Sequence, residues 1–272
     1  MTPPRNTRPG TSGRPRTLAI DIGGTGLKAL LLDPRGEPLT DRVRSATSYP
    51  SPPDRLVPAL VELVRSLTAY DRVSVGFPGV VRDGNVLTAP NLSRRAGPNS
   101  PIDAKVAVAW QGFALADALT KALGKPTRVA NDADLQGAAA VSGRGVELVL
   151  TLGTGLGSTV YAEGRLACHL EVAHHPFRKG ETYEEQVGEV AREQVGNRRW
   201  SRRVARAIDQ LDDLITPDRI FVGGGNAKHL TVDLGERVTI VANTAGLLGG
   251  IKLWQDAQPM RRASTAGKTR PA

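Results

Sequence analysis

The stretch that most constrains this chain is TLAIDIGGTGLKALLLD, residues 17–33. Residues 17–22 and 27–32 are apolar and β-compatible, and only Gly23, Gly24, Thr25 and Gly26 stand between them. Two apolar runs around so short a glycine-rich link predict a β-hairpin whose turn is almost bare backbone. Bare N–H groups, the Thr25 hydroxyl and the Lys28 ammonium make a cradle for an anion. Asp21, at the end of the first run, can hold a hydrated Mg²⁺ beside that anion. Taken alone, the stretch reads equally as a phosphate site and as an ordinary tight hairpin carrying one acid and one lysine.

A length of 272 residues accommodates one large domain or two smaller ones. Hydrophobic residues at 40% suffice for a core, and aromatics at 4% leave that core to Leu, Val, Ile and Ala. A single cysteine, Cys168, excludes an internal disulfide framework and fits a reducing compartment. No apolar run approaches the ~20 residues needed to span a bilayer, and no secretory h-region stands near the start. The expectation is a cytoplasmic protein without a membrane partner. The net charge of +9 is unevenly placed. Arg5, Arg8, Arg14 and Arg16 in residues 1–16, with Arg261, Arg262, Lys268 and Arg270 in residues 257–272, carry +8 with no acid among them, leaving 9 − 8 = +1 for residues 17–256. The basic character thus gives little ground for a specific nucleic-acid partner. Both ends read as disordered basic tails. The first holds Pro3, Pro4, Pro9 and Pro15 and almost nothing apolar, and its prolines oppose the amphipathic helix of a transit peptide.

In chain order, a third strand is expected from Pro38 to Ala46, and a helix capped by Asp54 from there to about Tyr70, with Pro58 in its first turn. Arg72–Gly76 reads as a strand ending in the turn Phe77-Pro78-Gly79, and Asn85–Ala89 as another strand. Pro90 to Ala109 reads as a long loop, Trp110–Leu123 as a helix closed by Gly124, Thr127–Ala130 as a strand and Ala133–Val141 as a helix. The second half repeats the opening logic: strand Glu147–Leu152, the glycine-rich turn Gly153-Thr-Gly-Leu-Gly157, and return strand Ser158–Ala162. The letters are too different for a repeat, but the pattern suggests two related halves, each with one phosphate cradle. Beyond Arg165–Leu170, helices are expected over Thr182–Val195, Trp200–Leu214 and Thr244–Trp254, and strands over Arg219–Val222 and Val238–Val241.

Asn131-Asp132 falls at a strand's C-terminal end, where α/β sheets place ligands. A carboxylate there can take a proton from an attacking hydroxyl and Asn131 can hydrogen-bond a polyol; the pair reads equally as a helix cap. Glu171 and His174 carry the chemistry to meet sugar hydroxyls. Cys168, His169, His174 and His175 crowd soft ligands together, but with no C-x-x-C no zinc site is expected. Gly223-Gly-Gly-Asn226 brings bare backbone either to a nucleotide or simply to a tight strand exit. Arg199, Arg202, Arg203 and Arg206 share one face of the helix at 200–214, opposite Trp200, Val204, Ile208 and Leu211. That arginine face reads either as a solvated surface or as a guide for a long polyanion.

In combination these residues resemble a known family. Asp21-Ile-Gly-Gly-Thr-Gly-Leu-Lys28, Gly76-Phe-Pro-Gly79, Asn131-Asp132, Leu152-Gly-Thr-Gly-Leu-Gly157, Glu171-x-x-His174 and Gly223-Gly-Gly-Asn226 occur in the order found in the ROK sugar kinases. Phe77-Pro-Gly-Val-Val-Arg82, Thr182-Tyr-Glu184 and Gly223-Gly-Gly-Asn-Ala-Lys228 resemble the polyphosphate glucokinase branch. The resemblance runs from Thr17 to Trp254. It implies an α/β, actin-like (ribonuclease H-like) fold of two lobes with the active site in the cleft between them. The lobes are expected over 17–130 and 131–256, with the last helix packing back on the first lobe.

The resemblance implies transfer of a phosphoryl group from polyphosphate or ATP to the 6-hydroxyl of glucose, giving glucose 6-phosphate. Asp132 is then the general base. Asn91, Asn131, Asp132, Glu171, His174 and Glu184 match sugar contacts. Asp21, Gly23, Gly24, Thr25, Lys28, Gly153, Thr154, Gly155 and Gly157 match the phosphoryl-donor side, with Mg²⁺ held by Asp21 through water. Gly224, Gly225 and Asn226 match the adenosine side, and a homodimer is implied. Three departures stand out. Ala173 replaces a family glycine and puts the local backbone in question. The family's Cys-rich zinc motif is absent after His175. Arg94–Val108 looks like an insertion, a lid or a tolerated loop. Two alternatives stay open: a kinase of mannose or an N-acetyl amino sugar, and a non-catalytic sugar-responsive regulator. Family repressors place a helix-turn-helix before the Asp-x-Gly-Gly-Thr motif, and the Pro-rich residues before Asp21 do not suit one.

Overall fold

The computed structural model describes residues 15–97, 100–241 and 249–255. The predicted tails, except Pro15 and Arg16, and residues 244–248 of the predicted closing helix lie outside these residues.

The opening hairpin forms: β1 (Thr17–Ile22) pairs antiparallel with β2 (Gly26–Leu32), setting Asp21 opposite Lys28. Side chains alternate as a strand requires. Leu18, Ile20 and Ile22 enter one core, while Ala19 meets Leu30, Leu32 and Ile251 on the other face. β3 (Val43–Ala46) is shorter than expected, because Pro38 makes a single bridge to Leu32 and, lacking an N–H donor, does not extend a ladder. α1 (Pro53–Leu63) starts at a proline cap position without a side-chain cap, so Asp54 sits in its first turn and does not cap it. Pro58 therefore lies inside the helix, past the first turn. Its missing N–H removes the bond to the Asp54 carbonyl, at an exposed position where water can replace it. The helix also stops well short of Tyr70, and Ala69 has a left-handed φ of 64°. Leu56 and Leu60 anchor α1 in the core; truncating either to alanine costs about 2–5 kcal/mol.

β4 (Arg72–Phe77) joins β1 in parallel. β5 (Val81–Arg82) and β6 (Asn85–Val86) make a hairpin shorter than the predicted strand to Ala89. The loop expected to Ala109 contains α2 (Ala104–Trp110), capped by Asp103, which accepts from the N–H groups of Lys105 and Val106. The helix expected over Trp110–Leu123 begins only at Leu115: α2 ends at Trp110, the chain turns at Gly112 with φ 75°, and α3 (Leu115–Leu123) follows. Trp110 is fully buried and donates its indole N–H to the Ser51 carbonyl at 2.9 Å. β7 (Thr127–Asn131) completes a five-stranded sheet of order β3-β2-β1-β4-β7.

α4 (Asp132–Ala140) follows β7 directly and leads to the second sheet. β8 (Val146–Leu152), β9 (Leu156–Ala162) and β10 (Arg165–Leu170) form an antiparallel meander. After the small hairpin β11 (Pro176–Arg178) and β12 (Glu181–Thr182) come α5 (Tyr183–Val187), α6 (Glu189–Val195) and α7 (Asn197–Ile215). The helix expected over Thr182–Val195 is divided at Gly188, whose φ of −67° and ψ of 174° are extended. On α7 the apolar face predicted from sequence is buried, and Trp200 donates its N–H to the Val187 carbonyl at 2.8 Å. β13 (Arg219–Gly223) and β14 (Val238–Ile240) add in parallel, giving the order β10-β9-β8-β13-β14. Each sheet is an antiparallel meander extended by two parallel strands, so the halves share a topology that their letters conceal.

Within the described residues, the chain's end is a turn at Gly249–Ile251 followed by α8 (Lys252–Gln255). Both lie against the first sheet. The Trp254 indole donates to Ser74 Oγ at 2.9 Å, and Ser74 donates to the Gly250 carbonyl at 2.5 Å. The guanidinium groups of Arg128 and Arg72 stand 4.3 and 5.3 Å from the Trp254 ring centre, the geometry of cation–π attraction.

Candidate active site

Sheet register gathers one end of the molecule. Asp21 on β1 aligns with Gly76 on β4, and Gly76 with Ala130 on β7, so the carboxyl ends of three strands meet in one row. Across the hairpin the Lys28 ammonium lies 2.9 Å from Asp21 Oδ2. One residue past Ala130, Asn131 ends its strand and caps α4. Its Oδ1 accepts from the N–H of Ala133 at 2.8 Å and of Asp134 at 3.3 Å, and its Nδ2 donates to the Gly79 carbonyl at 3.0 Å. The cap and the candidate base thus belong to neighbouring residues: Asn131 caps, and Asp132 becomes the first helical residue beside Gly76. Burial first, then the Asp21 carboxylate and then that of Asp134 push the Asp132 carboxyl up from 3.8 to about 7, against the pull of the Ala133 N–H.

Both glycine-rich turns are braced through their carbonyls. In the first, the Thr47 hydroxyl donates to Gly23 O at 2.6 Å, the Tyr49 hydroxyl to Gly24 O, and the Thr47 amide to Thr25 O at 3.5 Å. In the second, Asn226 Nδ2 donates to Gly153 O at 2.9 Å, the Glu189 amide to Thr154 O at 3.2 Å and the Gly153 amide to Gly155 O at 3.0 Å. The Gly23 amide closes its own turn on Gly26 O at 3.0 Å. Gly23 and Gly153 therefore use their amides to shape the turns, whereas those of Gly24, Thr25 and Thr154 meet no acceptor among the described residues. Such unpaired turn amides are the donors of an anion cradle. Asn226, assigned by resemblance to the adenosine side, is a buried brace of the second turn, and Gly224 (φ 89°) lies so close to β8 that an added Cβ meets the Leu152 carbonyl oxygen at 2.3 Å. The second turn also reaches α4, since a Cβ on Gly157 meets that of Ala133 at 2.8 Å.

The other expected sugar contacts divide between the lobes. Asn91 is exposed, and its Cβ lies 3.7 Å from where a Cβ on Gly24 would stand. Glu184, on α5, packs on the second turn, its Oε2 2.9 Å from a Cβ built on Gly155. Glu171 precedes a single turn, Val172–His174, that sets His174 Nε2 3.9 Å from Glu171 Oε2. Ala173 is buried in the second core and is not left-handed, so the extra methyl is accommodated. Cys168 is exposed, and no cluster of three potential metal ligands occurs among the described residues. The segment suspected of being an insertion combines a loop with the first five residues of α2.

Beside the second turn lies a cavity of about 370 Å³ lined by Gly153, Thr154, Glu189, Arg192, Gly225, Asn226, Lys228 and His229. Sequence reasoning missed Glu189, Arg192 and His229. α6 delivers the first two, and its separation from α5 at Gly188 is what the helical pattern hid. Thr47 and Tyr49 were missed because they reach the first turn from 24 and 25 residues away.

Two sheets of matching topology, each ending in a carbonyl-braced glycine turn and joined by a helix that starts with a carboxylate, define the actin-like ATPase fold. The ROK family model matches residues 17–171, and the chain belongs to the ROK family. It is 28% identical over 263 residues to a polyphosphate glucokinase of Mycobacterium tuberculosis, covering 91% of this chain and 94% of that protein. Among solved structures it is similar to an inorganic polyphosphate/ATP-glucomannokinase from Arthrobacter sp. strain KM, with 30% identity, a TM-score of 0.73, and 88% and 98% of the two chains covered. A ROK glucokinase from Streptomyces griseus, solved with glucose and AMPPNP, shares the fold at 20% identity and a TM-score of 0.67, over 88% and 98% of the chains.

Proposed function

We propose that this protein is a sugar kinase that transfers a phosphoryl group from polyphosphate or ATP to the 6-hydroxyl of glucose. The observation that carries the reading is Asp132: a carboxyl raised to about 7, next to Asp21 and Gly76 in one lobe and one residue from the contact with Gly157 in the other. A base poised near neutrality suits the abstraction of a hydroxyl proton. The names of the relatives that span the chain support both the donor and the acceptor.

In this reading Asn91, Glu171, His174 and Glu184 orient the sugar, and the remaining Nδ2 hydrogen of Asn131 faces it. The 6-hydroxyl oxygen attacks the terminal phosphorus, its proton passes to the Asp132 carboxylate, and the bond to the leaving phosphate breaks with its electron pair on the leaving oxygen. Lys28 and the amides of Gly24, Thr25, Thr154 and Gly155 offset charge on the transferring group. Asp21 is the residue that would hold a hydrated Mg²⁺, a hard cation suited to a carboxylate beside donor phosphates. The mutual repulsion of Asp21 and Asp132 is the kind of charge such an ion relieves. When bound, Mg²⁺ supplies charge neutralisation at the donor phosphates. The division into lobes at 130/131 sets the base at the junction of the two halves.

A coupled assay crossing glucose, mannose and N-acetylglucosamine with ATP and polyphosphate tests the proposal. Glucose 6-phosphate is expected, with mannose as the second acceptor. Absence of any sugar phosphate in every combination overturns the kinase reading.

A further inference from the structure

The arginine face of α7 is not used by the chemistry above. Its first ten residues, 197–206, hold Arg198, Arg199, Arg202, Arg203 and Arg206 and no acid, and the acids Asp209, Asp212 and Asp213 follow toward its end. Charge is therefore arranged against the helix dipole, which favours acids at the start and cations at the end. Arg198 and Arg202, Arg199 and Arg203, and Arg202 and Arg206 also repel at i, i+4 spacing. Arg198, Arg199, Arg202 and Arg206 make no ion pair among the described residues, whereas Arg203 is tied to the Gln186 carbonyl at 3.3 Å. Left to itself this face works against the helix, and an anion offsets it.

A cavity of about 410 Å³ opens on this face, lined by Gln194, Val195, Arg198, Arg199 and Arg202. Arg192 stands between this cavity and the one at the second turn in sequence and by contact. That residue lines the donor cavity, its Nε is buried without a partner, and its Nη1 reaches Asn197 Oδ1, the residue before Arg198, at 3.4 Å. The arginine-lined cavity presents no ring on which a base can stack, and the cavity at the second turn presents the His229 imidazole but no Phe, Tyr or Trp. We infer that Arg198, Arg199 and Arg202 extend the donor site and hold the distal phosphates of an inorganic polyphosphate chain whose reacting end lies at the Gly153–Gly157 turn, with Arg192 and Lys228 between. The inference rests on the donor reading above and adds to it a binding track for chain length.

The test compares the wild type with the triple variant Arg198→Ala, Arg199→Ala, Arg202→Ala. Turnover is measured with long-chain polyphosphate, tripolyphosphate and ATP, and binding of long-chain polyphosphate is measured without sugar. The variant is expected to raise KM for the long chain about tenfold while leaving ATP, tripolyphosphate and glucose parameters in place. Its slope of log affinity against log salt is expected to be shallower by about 2, as three lost phosphate contacts require. Its melting temperature should hold or rise, because like charges have been removed. An unchanged KM and unchanged binding for the long chain overturn the track. RNA of matched phosphate count binding as tightly as polyphosphate also overturns it, by making the face a general anion surface. A wild type that turns over ATP but not polyphosphate overturns the donor reading instead. In that case the binding measurement still decides the track: loss of long-chain binding in the variant upholds it, and equal binding ends it.

Discussion

Asp132 carries the account at the scale of a single residue. Burial and two neighbouring carboxylates push its carboxyl up to about 7, well above the ordinary carboxylate range. The same shift sets a stability signature. A carboxyl raised on folding binds its proton more tightly in the native state than in the unfolded chain. Native stability therefore falls as pH climbs from about 4 to about 7, and the whole penalty is present above that window. A shift to about 7 corresponds to roughly 4 kcal/mol at full effect, and the partial opening of the residue to solvent reduces it to about 1–3 kcal/mol. Asp132→Asn is expected to melt higher than wild type at pH 8 and to lose that advantage below pH 4. An equal melting difference at both pH values would contradict the shift. The Asn-Asp pair at a strand end was legible in the sequence, because strand period, cap chemistry and base chemistry all converge on those two letters. Tyr49 and Thr47 were not, because nothing local marks a hydroxyl that will close on a glycine carbonyl from the segment after β3.

At the scale of elements, the two glycine turns matter through what holds their carbonyls. Gly224 is the tightest support of the second turn, at φ 89° with Leu152 O 2.3 Å from the place of a Cβ. Gly235 has nearly the same φ, 90°, and nothing within 4 Å. Gly224→Ala is therefore expected to cost about 2–4 kcal/mol, and Gly235→Ala about 1 kcal/mol, with denaturant midpoints as the measurement. Equal losses would mean that backbone conformation alone, and not the approach to β8, fixes Gly224. Strands and their turns were legible because alternation and glycine punctuation are local. Helix limits were less so: α1 begins at Pro53 and runs past Pro58, α2 hides in a stretch dense with Gly, Asn and Pro, and Gly188 splits α5 from α6 without any break in helical pattern. In each case packing decided what propensity left open.

For the whole molecule, two sheets of one topology are joined by α4, and the described end of the chain returns to the first sheet through Trp254. The sequence showed this duplication only as two strand–turn–strand signatures, since a shared topology needs shared periods and not shared letters. The proposed site draws on both halves: Asp21 and the first turn come from one, Glu184 and the second turn from the other, and Asp132 opens the helix that joins the two sheets. The central claim is that this junction takes a proton from a sugar hydroxyl. Its most direct test is Asp132→Asn, with glucose affinity measured by calorimetry and glucose 6-phosphate formation followed in a single turnover. The account predicts glucose affinity close to wild type with phosphoryl transfer slowed at least ~100-fold. Transfer at a near wild-type rate would contradict it.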